Sequence, residues 1–536
     1  MTTLLLLAAL SCPHATPAEP LRIRPTESSL LTEIGKSGEG RPLELLTLAD
    51  PPDTAGERPA ILIVAGLDGE DRFSTTLAES IARRLESDHP ELLRETTFYI
   101  LPLANPDGAG RPGRHGTARV IDQDRDGASD EDPPRDLDGN GVITMMRRAN
   151  PPLDDPPTHL VDPAEPRLMK TPDHARGERA THSLHVEGLD SDGDGLIGED
   201  GIDGVDLDRN FMHRWPEHAI DSGPFQLSEP EARAIADFVI THPNITMAVI
   251  YGRHDTLINL PDAKSMDITG KTPKELAGED LPGHEQVADL YRELVGQEHA
   301  STRDSAGSLH AWLYGQRGIP TFASTGWGRP APSADIAEEE APGEEPSDEP
   351  KLEPSDQDAA GWLTYSDQAR DGAGFIEWTP FEHPQLGPVE IGGWVPGFRS
   401  TPPEAEVPGL AERHAGWITE LAARGPRLEV IGPEVEALGG GLIRIRIGLR
   451  NTGSMPTRNH QATRVRVQRP TNLRLHATDR QLIDGRQLVQ VDSIRPGELV
   501  VREWTLRPDA GKQRIEIEVD DPVLAMNIRR TVEVSP

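Results

Sequence analysis

The chain has 536 residues, with 54 Lys plus Arg against 90 Asp plus Glu, so its formal net charge is −36. This excess of negative charge argues against nucleic acid as the main partner, because binding to phosphates needs clustered Lys and Arg. The length suits two or three domains, whereas hydrophobic residues at 35% and aromatic residues at 4% are few for a globular protein. We therefore expect a sizeable fraction of loop or disordered chain.

The first residues carry the pattern of an export signal. Residues 4–10 form an apolar run with the length of a signal-peptide core, and this run is too short to span a bilayer. Small residues precede a cleavage site after Ala18, so residues 1–18 are predicted to be a signal peptide. Two alternatives are a lipoprotein attached through Cys12, the single cysteine, and a buried N-terminal strand. The sequence therefore predicts an exported protein, periplasmic, extracellular or attached to a surface, and no other stretch predicts a transmembrane helix.

Short apolar runs alternate with helical periodicity along the first part of the chain. Such runs are typical of buried parallel strands, and the helices between them predict an α/β sheet covered by helices on both faces. The strands are expected at residues 60–66, 97–103, 245–251 and 319–324, and the helices at 75–85, 228–238, 283–296, 307–316 and 408–423.

Three further regions have a different pattern. Residues 109–203 are predicted to be mostly loop, and the Glu/Pro/Ser/Asp-rich residues 335–358 are predicted to be disordered. Residues 427–536 contain alternating segments, 442–449 and 465–467 among them, separated by turn signals. This spacing predicts a small all-β sandwich of about seven strands.

Several motifs, in order, resemble those of the zinc carboxypeptidase (carboxypeptidase A/B) superfamily. Residues 66–71, Gly-Leu-Asp-Gly-Glu-Asp, are similar to its zinc motif Gly-x-His-x-x-Glu. Residues 105–108 are Asn-Pro-Asp-Gly, residues 204–211 resemble Gly-Val-Asp-Leu-Asn-Arg-Asn-Phe, and residues 228–231 are Ser-Glu-Pro-Glu. The resemblance covers residues 25–425 and implies a carboxypeptidase-like fold there.

The resemblance also implies where the catalytic residues should stand, and this chain departs from the pattern there. The family holds Zn²⁺ with two His and one Glu, whereas the matching positions are Asp68, Asp71 and Gly252. The general-base Glu is replaced by Thr325, whose hydroxyl needs an activator to act as a base near neutral pH. Of the substrate-binding pair, Arg209 is kept, but its neighbour is Asp208, which would compete for the guanidinium.

A different metal centre is one interpretation of these changes. His254 follows two residues after Gly252 and would substitute for the missing ligand beside Asp68 and Asp71. An oxygen-rich set favours harder cations such as Mg²⁺ or Ca²⁺ over Zn²⁺. A vestigial loop of solvated acids and a binding pocket without hydrolysis are the two other interpretations.

Three Asp/Gly runs within residues 109–203 have the spacing of calcium loops. Such loops place oxygen ligands at positions 1, 3 and 5 and Gly at position 6, although the Glu expected at position 12 is missing from each. Flexible, solvated turns are the alternative. The candidate Ca²⁺ ligands are Asp122, Asp124, Asp126, Asp130, Asp136, Asp138, Asn140, Asp190, Asp192 and Asp194.

These observations lead to three hypotheses about function. The first is an exported, catalytically degenerate member of the resembled family that acts as a calcium-stabilised binding or accessory protein, with a peptide or glycan end in its cleft. The second is an active metallocarboxypeptidase, or a peptidoglycan or peptide amidase, with a rewired metal centre. The third is a structural surface protein in which the sandwich and the acidic linker matter most.

Overall fold

The structure is a computed structural model that describes residues 25–109, 111, 114–122, 129, 132–198, 204–330, 354–509 and 511–535. The predicted signal peptide, residues 1–18, lies outside the described residues, as do residues 335–353 of the predicted disordered segment. In the described ranges, no helix combines the length and the apolar character needed to cross a membrane.

The first domain is built on a six-stranded mixed sheet. Its strands are β1 (Ser29–Lys36), β2 (Pro42–Leu48), β3 (Ala60–Val64), β4 (Thr97–Leu101), β9 (Ile245–Tyr251) and β10 (Thr321–Ser324), in the spatial order β1-β2-β4-β3-β9-β10. The four strands from β4 to β10 pair in parallel, and β1 and β2 extend the sheet in antiparallel pairing. Every residue of β3 and of β9 is buried, which is what continuous apolar runs predict for central parallel strands.

Helices cover both faces of this sheet. They are α1 (Arg72–Asp88), α2 (Pro230–Thr241), α3 (Leu281–Val295), α4 (Leu309–Arg317), α5 (Gln357–Ala369) and α6 (Val407–Ala423). Ile61 and Ile63 of β3 pack in one core with α1, α3 and α6, whereas Leu62 and Val64 pack in the other core with α2 and α4. Alternate residues of the strand thus enter opposite cores, and the predicted α/β sheet with helices on both faces is confirmed.

Residues 109–203 contain more regular structure than we predicted. They include β5 (Met145–Ala149), β6 (Leu160–Val161), β7 (Met169–Lys170) and β8 (His182–Val186). A second sheet, in the order β11-β12-β5-β8, joins two of these strands to β11 (Phe375–His383) and β12 (Gly387–Trp394). Arg147 of β5 pairs with Glu390 of β12 at 2.7 Å, so tertiary pairing rather than local periodicity defines this sheet.

The last residues of the predicted disordered segment are ordered in the structure. Residues 354–358 are described, and α5 begins at Gln357. Asp356 caps this helix, because its side chain accepts a hydrogen bond from the backbone N–H of Ala359 at 2.9 Å. An acidic residue that counts toward low complexity in the sequence is therefore a helix cap in the structure.

The C-terminal region forms the predicted all-β sandwich. Its strands are β13 (Leu428–Gly439), β14 (Leu442–Asn451), β15 (Thr471–His476), β16 (Leu482–Asp484), β17 (Leu488–Val491), β18 (Leu499–Leu506), β19 (Gln513–Asp521) and β20 (Met526–Val534). Two antiparallel sheets, β13-β14-β18-β16 and β17-β15-β19-β20, enclose a core around Ile445, Trp504 and Ile517. The described residues hold eight strands where we expected about seven.

One segment of the sandwich differs from the sequence prediction. Residues 460–465 form the short helix α7 (His460–Val465) instead of leading into a strand at 465–467. Asn459 caps this helix. The start of the helix also contacts the first domain, because the N–H of His460 donates a hydrogen bond to Asp280 at 2.7 Å. A buried ion pair nearby, Arg458 with Asp521 at 2.7 Å, holds the segment to β19.

Candidate functional site

The candidate site lies where three parallel strands end at the same edge of the main sheet. Chain segments leaving β3, β9 and β10 carry Asp68, Arg253 and Thr325, respectively, and the carboxyl ends of such strands are where α/β sheets form their clefts. A cavity of about 550 Å³ opens there. Its lining includes Asp68, Asp71, Arg253, Thr325, Trp394 and Arg399.

Asp68 is engaged by cationic and hydrogen-bonding side chains. Its side chain is only 9% exposed, and the guanidinium of Arg253 forms an ion pair with it. The Nδ1 atom of His115 lies 2.9 Å from Oδ1 of Asp68, and Nε2 of His115 lies 3.3 Å from Glu70. Burial lowers the pKa of His115, but the hydrogen bond and the charge of Asp68 outweigh it, so that the pKa is raised. The first family-equivalent zinc position is thus part of an ion-pair network.

Asp71, the second family-equivalent position, serves as a helix cap. Its Oδ1 atom accepts a hydrogen bond from the N–H of Ser74 at 2.9 Å, in the first turn of α1. Burial raises the pKa of this carboxyl to about 6, with the neighbouring charge of Asp68 acting in the same direction.

The third position and the general-base position lack acidic or imidazole groups. Gly252 follows β9, and its N–H donates to the carbonyl of Ser324 at 3.1 Å. The Thr325 hydroxyl accepts a hydrogen bond from Gln297 at 3.0 Å and donates one to the carbonyl of Trp327 at 2.8 Å. Its proton is therefore already committed to a backbone carbonyl.

His254 does not join Asp68 and Asp71. It is 2% exposed, and its Nε2 atom lies 3.5 Å from Asp208 and 3.3 Å from Nε of Arg303. Burial lowers the pKa of His254 to about 3, so the imidazole is neutral. This histidine lines a separate, smaller cavity of about 120 Å³.

The predicted substrate-binding pair has structural partners. Oδ1 of Asp208 accepts the N–H of Leu309 at 2.8 Å, at the start of α4, and burial raises its pKa to about 7. Arg209 forms an ion pair with Asp221 at 2.9 Å. Neither residue is part of the lining of the larger cavity.

These residues do not fit the zinc ion that the fold implies. A catalytic zinc needs three protein ligands converging on one point. Within the described ranges, some groups of three or more His, Cys, Asp or Glu residues place their ligand atoms within 4.8 Å of one another. Asp68, Asp71 and His254 belong to none of these groups. The third position has no side chain, and the first already has a guanidinium partner. We therefore derive no metal-dependent step at this site.

Sequence reasoning missed Arg253 and His115 as members of the site. Arg253 lies between Gly252 and His254, which we considered as ligand positions, but it was not itself a candidate, and His115 lies 47 residues from the Asp68 that it contacts. The one available signal was position, because Arg253 comes two residues after the end of β9, where a cleft residue is expected.

Two acidic clusters lie outside the cleft, in the 109–203 region. One brings together Asp132, Asp190, Asp192 and Asp194, and the other Asp136, Asp138 and Glu187. Asn140 donates its backbone N–H to Asp136 and Asp138 at 3.2 and 3.0 Å. Of the remaining calcium candidates, Asp122 is described, whereas Asp124, Asp126 and Asp130 lie outside the described residues.

Comparison with known proteins places this chain in a family. The family model described as zinc carboxypeptidase matches residues 22–141 and 167–331, which together make up more than half of the chain. A second model, described as a domain of unknown function (DUF8731), matches residues 427–532.

The relatives match over short stretches. Carboxypeptidase D of Mus musculus is 34% identical over 131 residues, which are 20% of this chain and 9% of that protein. Carboxypeptidase E of Caenorhabditis elegans is 31% identical over 91 residues, which are 15% of this chain and 19% of that protein. The chain thus spans less than a fifth of the length of these curated relatives.

Among solved structures, bovine thrombin-activatable fibrinolysis inhibitor in complex with tick carboxypeptidase inhibitor is similar at a TM-score of 0.35 and 14% identity. The match covers 74% of this chain and 90% of that chain, and a likeness at this level carries no functional conclusion. The family model, matching over more than half of the chain, decides the assignment: this chain belongs to the zinc carboxypeptidase family.

Proposed function

We propose that this member of the zinc carboxypeptidase family is an exported, catalytically degenerate protein that binds the end of a peptide or glycan in its cleft and is stabilised by calcium. The observation that carries the proposal is the ion pair between Arg253 and Asp68. Asp68 stands at the first family-equivalent zinc position, and the guanidinium supplies the positive charge that a metal ion would otherwise give it.

Charge at the cleft disfavours a metal ion in a second way. Three arginines line this cavity: Arg253, Arg399 and Arg303, which pairs with Asp206. A divalent cation at Asp68 would have to displace the guanidinium of Arg253 and would be repelled by the other two. With Gly252 supplying no ligand, no compensating bond is gained.

The cleft retains the properties of a binding site. Its volume of about 550 Å³ is within the range of small-molecule sites, and three tryptophans are among its lining residues. The guanidinium of Arg399 stacks over Trp394, 4.8 Å from the ring centroid. An aromatic surface beside a cation suits a sugar ring or the carboxylate of a peptide end.

Calcium binding and export are supported by two different observations. The acidic cluster of Asp132, Asp190, Asp192 and Asp194 offers only oxygen ligands, which Ca²⁺ prefers. Export is supported by the apolar run at residues 4–10 and by the small residues before the cleavage site after Ala18.

A peptide-release assay tests the catalytic part of the proposal. The purified full chain is incubated with peptides carrying free carboxyl termini, with and without added Zn²⁺, Co²⁺ or Mn²⁺. We expect no release of the terminal residue above the buffer control. Metal-dependent release that is lost in Asp68→Asn would overturn the degenerate assignment.

Tryptophan fluorescence tests the binding part. The probes are a short peptide with a free carboxyl terminus and a chitin tetrasaccharide. Arg399→Ala is expected to weaken the binding of whichever probe binds, while Arg495→Ala, an 82% exposed side chain on the sandwich, is the matched control. Failure of both probes to bind wild type would remove the support for a binding role in the cleft.

The second candidate function is a metallocarboxypeptidase or amidase with a rewired metal centre. One observation favours it: Asp68, Glu70, Asp71 and His115 all line the same cavity. This candidate requires Arg253 to move away from Asp68 when the metal binds. It predicts a stoichiometric metal ion in the cleft together with turnover, whereas the degenerate assignment predicts neither.

A further inference from the structure

We propose that Asp132, Asp190, Asp192 and Asp194 form a single Ca²⁺ site, closed by a buried carboxylate from a separate segment. This inference deepens the calcium part of the proposed function and does not depend on the state of the cleft. It differs from the sequence prediction, in which each Asp/Gly loop supplied its own ligands.

The four carboxylates converge in the structure. One side-chain oxygen from each residue lies within 4.8 Å of the others. The loop that carries three of them is wrapped around Asp190, which accepts the N–H groups of Gly193 at 2.6 Å and Gly195 at 3.1 Å. Gly195 adopts a φ of 94°, a conformation that favours glycine and that turns the chain sharply at the sixth loop position.

Asp132 provides an independent indication of a ligand. Its side chain is 0% exposed, and Oδ1 accepts the N–H of Ser191 at 2.5 Å. Its other oxygen, Oδ2, is buried and has no hydrogen-bond partner in the described part of the chain. A buried carboxylate oxygen with no donor is strongly unfavourable unless a cation meets it.

Charge within the described residues gives the same indication. Among the described residues, none of the four carboxylates forms an ion pair with a Lys, Arg or His side chain, in contrast to Asp68 in the cleft. Four acidic groups thus share one small volume with no counter-charge from the part of the chain that the structure describes. All the ligands are oxygens, and the exposed side of the loop leaves room for water, which fits Ca²⁺ better than Zn²⁺.

The neighbouring acidic cluster, Asp136, Asp138 and Glu187, is a matched comparison within the same region. Glu187 is also 0% exposed, but its Oε1 accepts the N–H of Leu137 at 2.6 Å and its Oε2 accepts that of Thr144 at 3.0 Å. Both of its oxygens therefore have donors from the backbone. We propose no cation site there, and its residues supply the control variant.

Calcium titration of the full chain tests the site. Protein treated with a chelator is titrated with CaCl₂ in a calorimeter, for wild type, Asp132→Asn, Asp192→Asn and the control Asp138→Asn. We expect the Asp132 and Asp192 variants to lose one bound Ca²⁺ per chain or at least about tenfold in affinity, and the control to titrate like wild type. Asp192 is exposed, so its variant should fold even if the Asp132 variant does not.

Thermal unfolding without calcium adds a second readout. Asp132→Asn removes an uncompensated buried charge, so the chelated variant should unfold at a higher temperature than chelated wild type. A lower temperature in the chelated variant, or unchanged calcium titration in both site variants, would overturn the site. If calcium binds wild type and both site variants equally, the proposed site is wrong but the calcium-stabilised function stands. If no calcium binds to wild type, the proposed site and the calcium-stabilised function are both wrong.

Discussion

The cleft and the 109–203 region both concentrate carboxylates, but they neutralise them differently. In the cleft, Asp68 pairs with Arg253 and Asp206 pairs with Arg303. In the 109–203 region, buried Asp132 pairs with no Lys, Arg or His side chain among the described residues, and one of its oxygens has no donor there. Buried charge must be compensated in either place. Among the described residues, arginines neutralise the buried carboxylates of the cleft, whereas no such partner meets Asp132, and it is there that we propose a cation.

The largest effect on stability is expected from breaking a buried ion pair in which each charge has its partner. This pair is the reference for comparing the cleft with the 109–203 region. Arg458 is 2% exposed and pairs with Asp521, which is 0% exposed. Arg458→Ala should lower the free energy of unfolding by about 3–5 kcal/mol, because it leaves a buried charge unpaired. Denaturant unfolding measures this change.

Arg495→Ala is the control for that measurement, since Arg495 pairs with Glu498 on the surface at 82% side-chain exposure. Exposed pairs contribute little to stability. Equal losses in the free energy of unfolding for the two substitutions would show that burial does not determine how much an ion pair stabilises this protein.

Adding Ca²⁺ should compensate the charge of the 109–203 region. At a free concentration 100 times the dissociation constant, binding to the folded state alone stabilises the protein by about 2.7 kcal/mol. The melting temperature of wild type should therefore rise with CaCl₂, and Asp192→Asn should show a smaller rise. An equal rise with MgCl₂ would contradict the preference for Ca²⁺ that the open, all-oxygen set predicts.

Removing the guanidinium from the cleft should cost less than breaking the buried reference pair. The Arg253 side chain is 39% exposed, so solvent screens the charge that Arg253→Ala leaves on Asp68. We expect a loss of about 1–2 kcal/mol in the free energy of unfolding, and a smaller loss for Arg253→Lys, which keeps the charge. An increase in stability in Arg253→Ala would indicate that Arg253 and Asp68 are not a stabilising pair.

The effect expected from Asp208 depends on pH. Burial raises the pKa of this carboxyl from 3.8 to about 7, so its contribution to stability is fully present below pH 3.8 and is lost as the pH rises through 7. Asp208→Asn keeps an acceptor for Leu309 and removes the charge whose burial raises the pKa, so it should stabilise the protein at pH 8.

The same variant should give little change near pH 4, which denaturant unfolding at the two pH values measures. A gain that is larger at pH 4 than at pH 8 would contradict the raised pKa.

The main sheet could be predicted because its central strands are continuous apolar runs, whereas the second sheet could not. The strand β5, Met145–Ala149, reads Met-Met-Arg-Arg-Ala and gives no hydrophobic period. It becomes a strand by pairing with β12, more than 240 residues away in the chain. Local sequence does not encode such a partner.

The position of the candidate site could be predicted from the sequence, but the side chains that contact its residues could not. Motif order locates Asp68, Asp71, Gly252 and Thr325, all of which line one cavity. His254 was expected on the same strand face as Gly252, but β9 ends at Tyr251, so strand alternation does not extend to it. Which side chain turns toward Asp68 depends on the path of the chain after the strand, and that path is set by tertiary packing.

Zinc content is the most direct test of the claim that the cleft does not hold zinc. Wild type, Asp68→Asn and a restored variant, Asp68→His/Asp71→Glu/Gly252→His, are dialysed against ZnCl₂ and analysed for bound metal. A Cβ added at Gly252 meets no atom of the described chain within 4 Å, so the restored histidine has space. We expect the restored variant to gain one zinc ion relative to wild type, and wild type and Asp68→Asn to bind equal amounts of zinc. One zinc ion per wild-type chain that is lost in Asp68→Asn would contradict it.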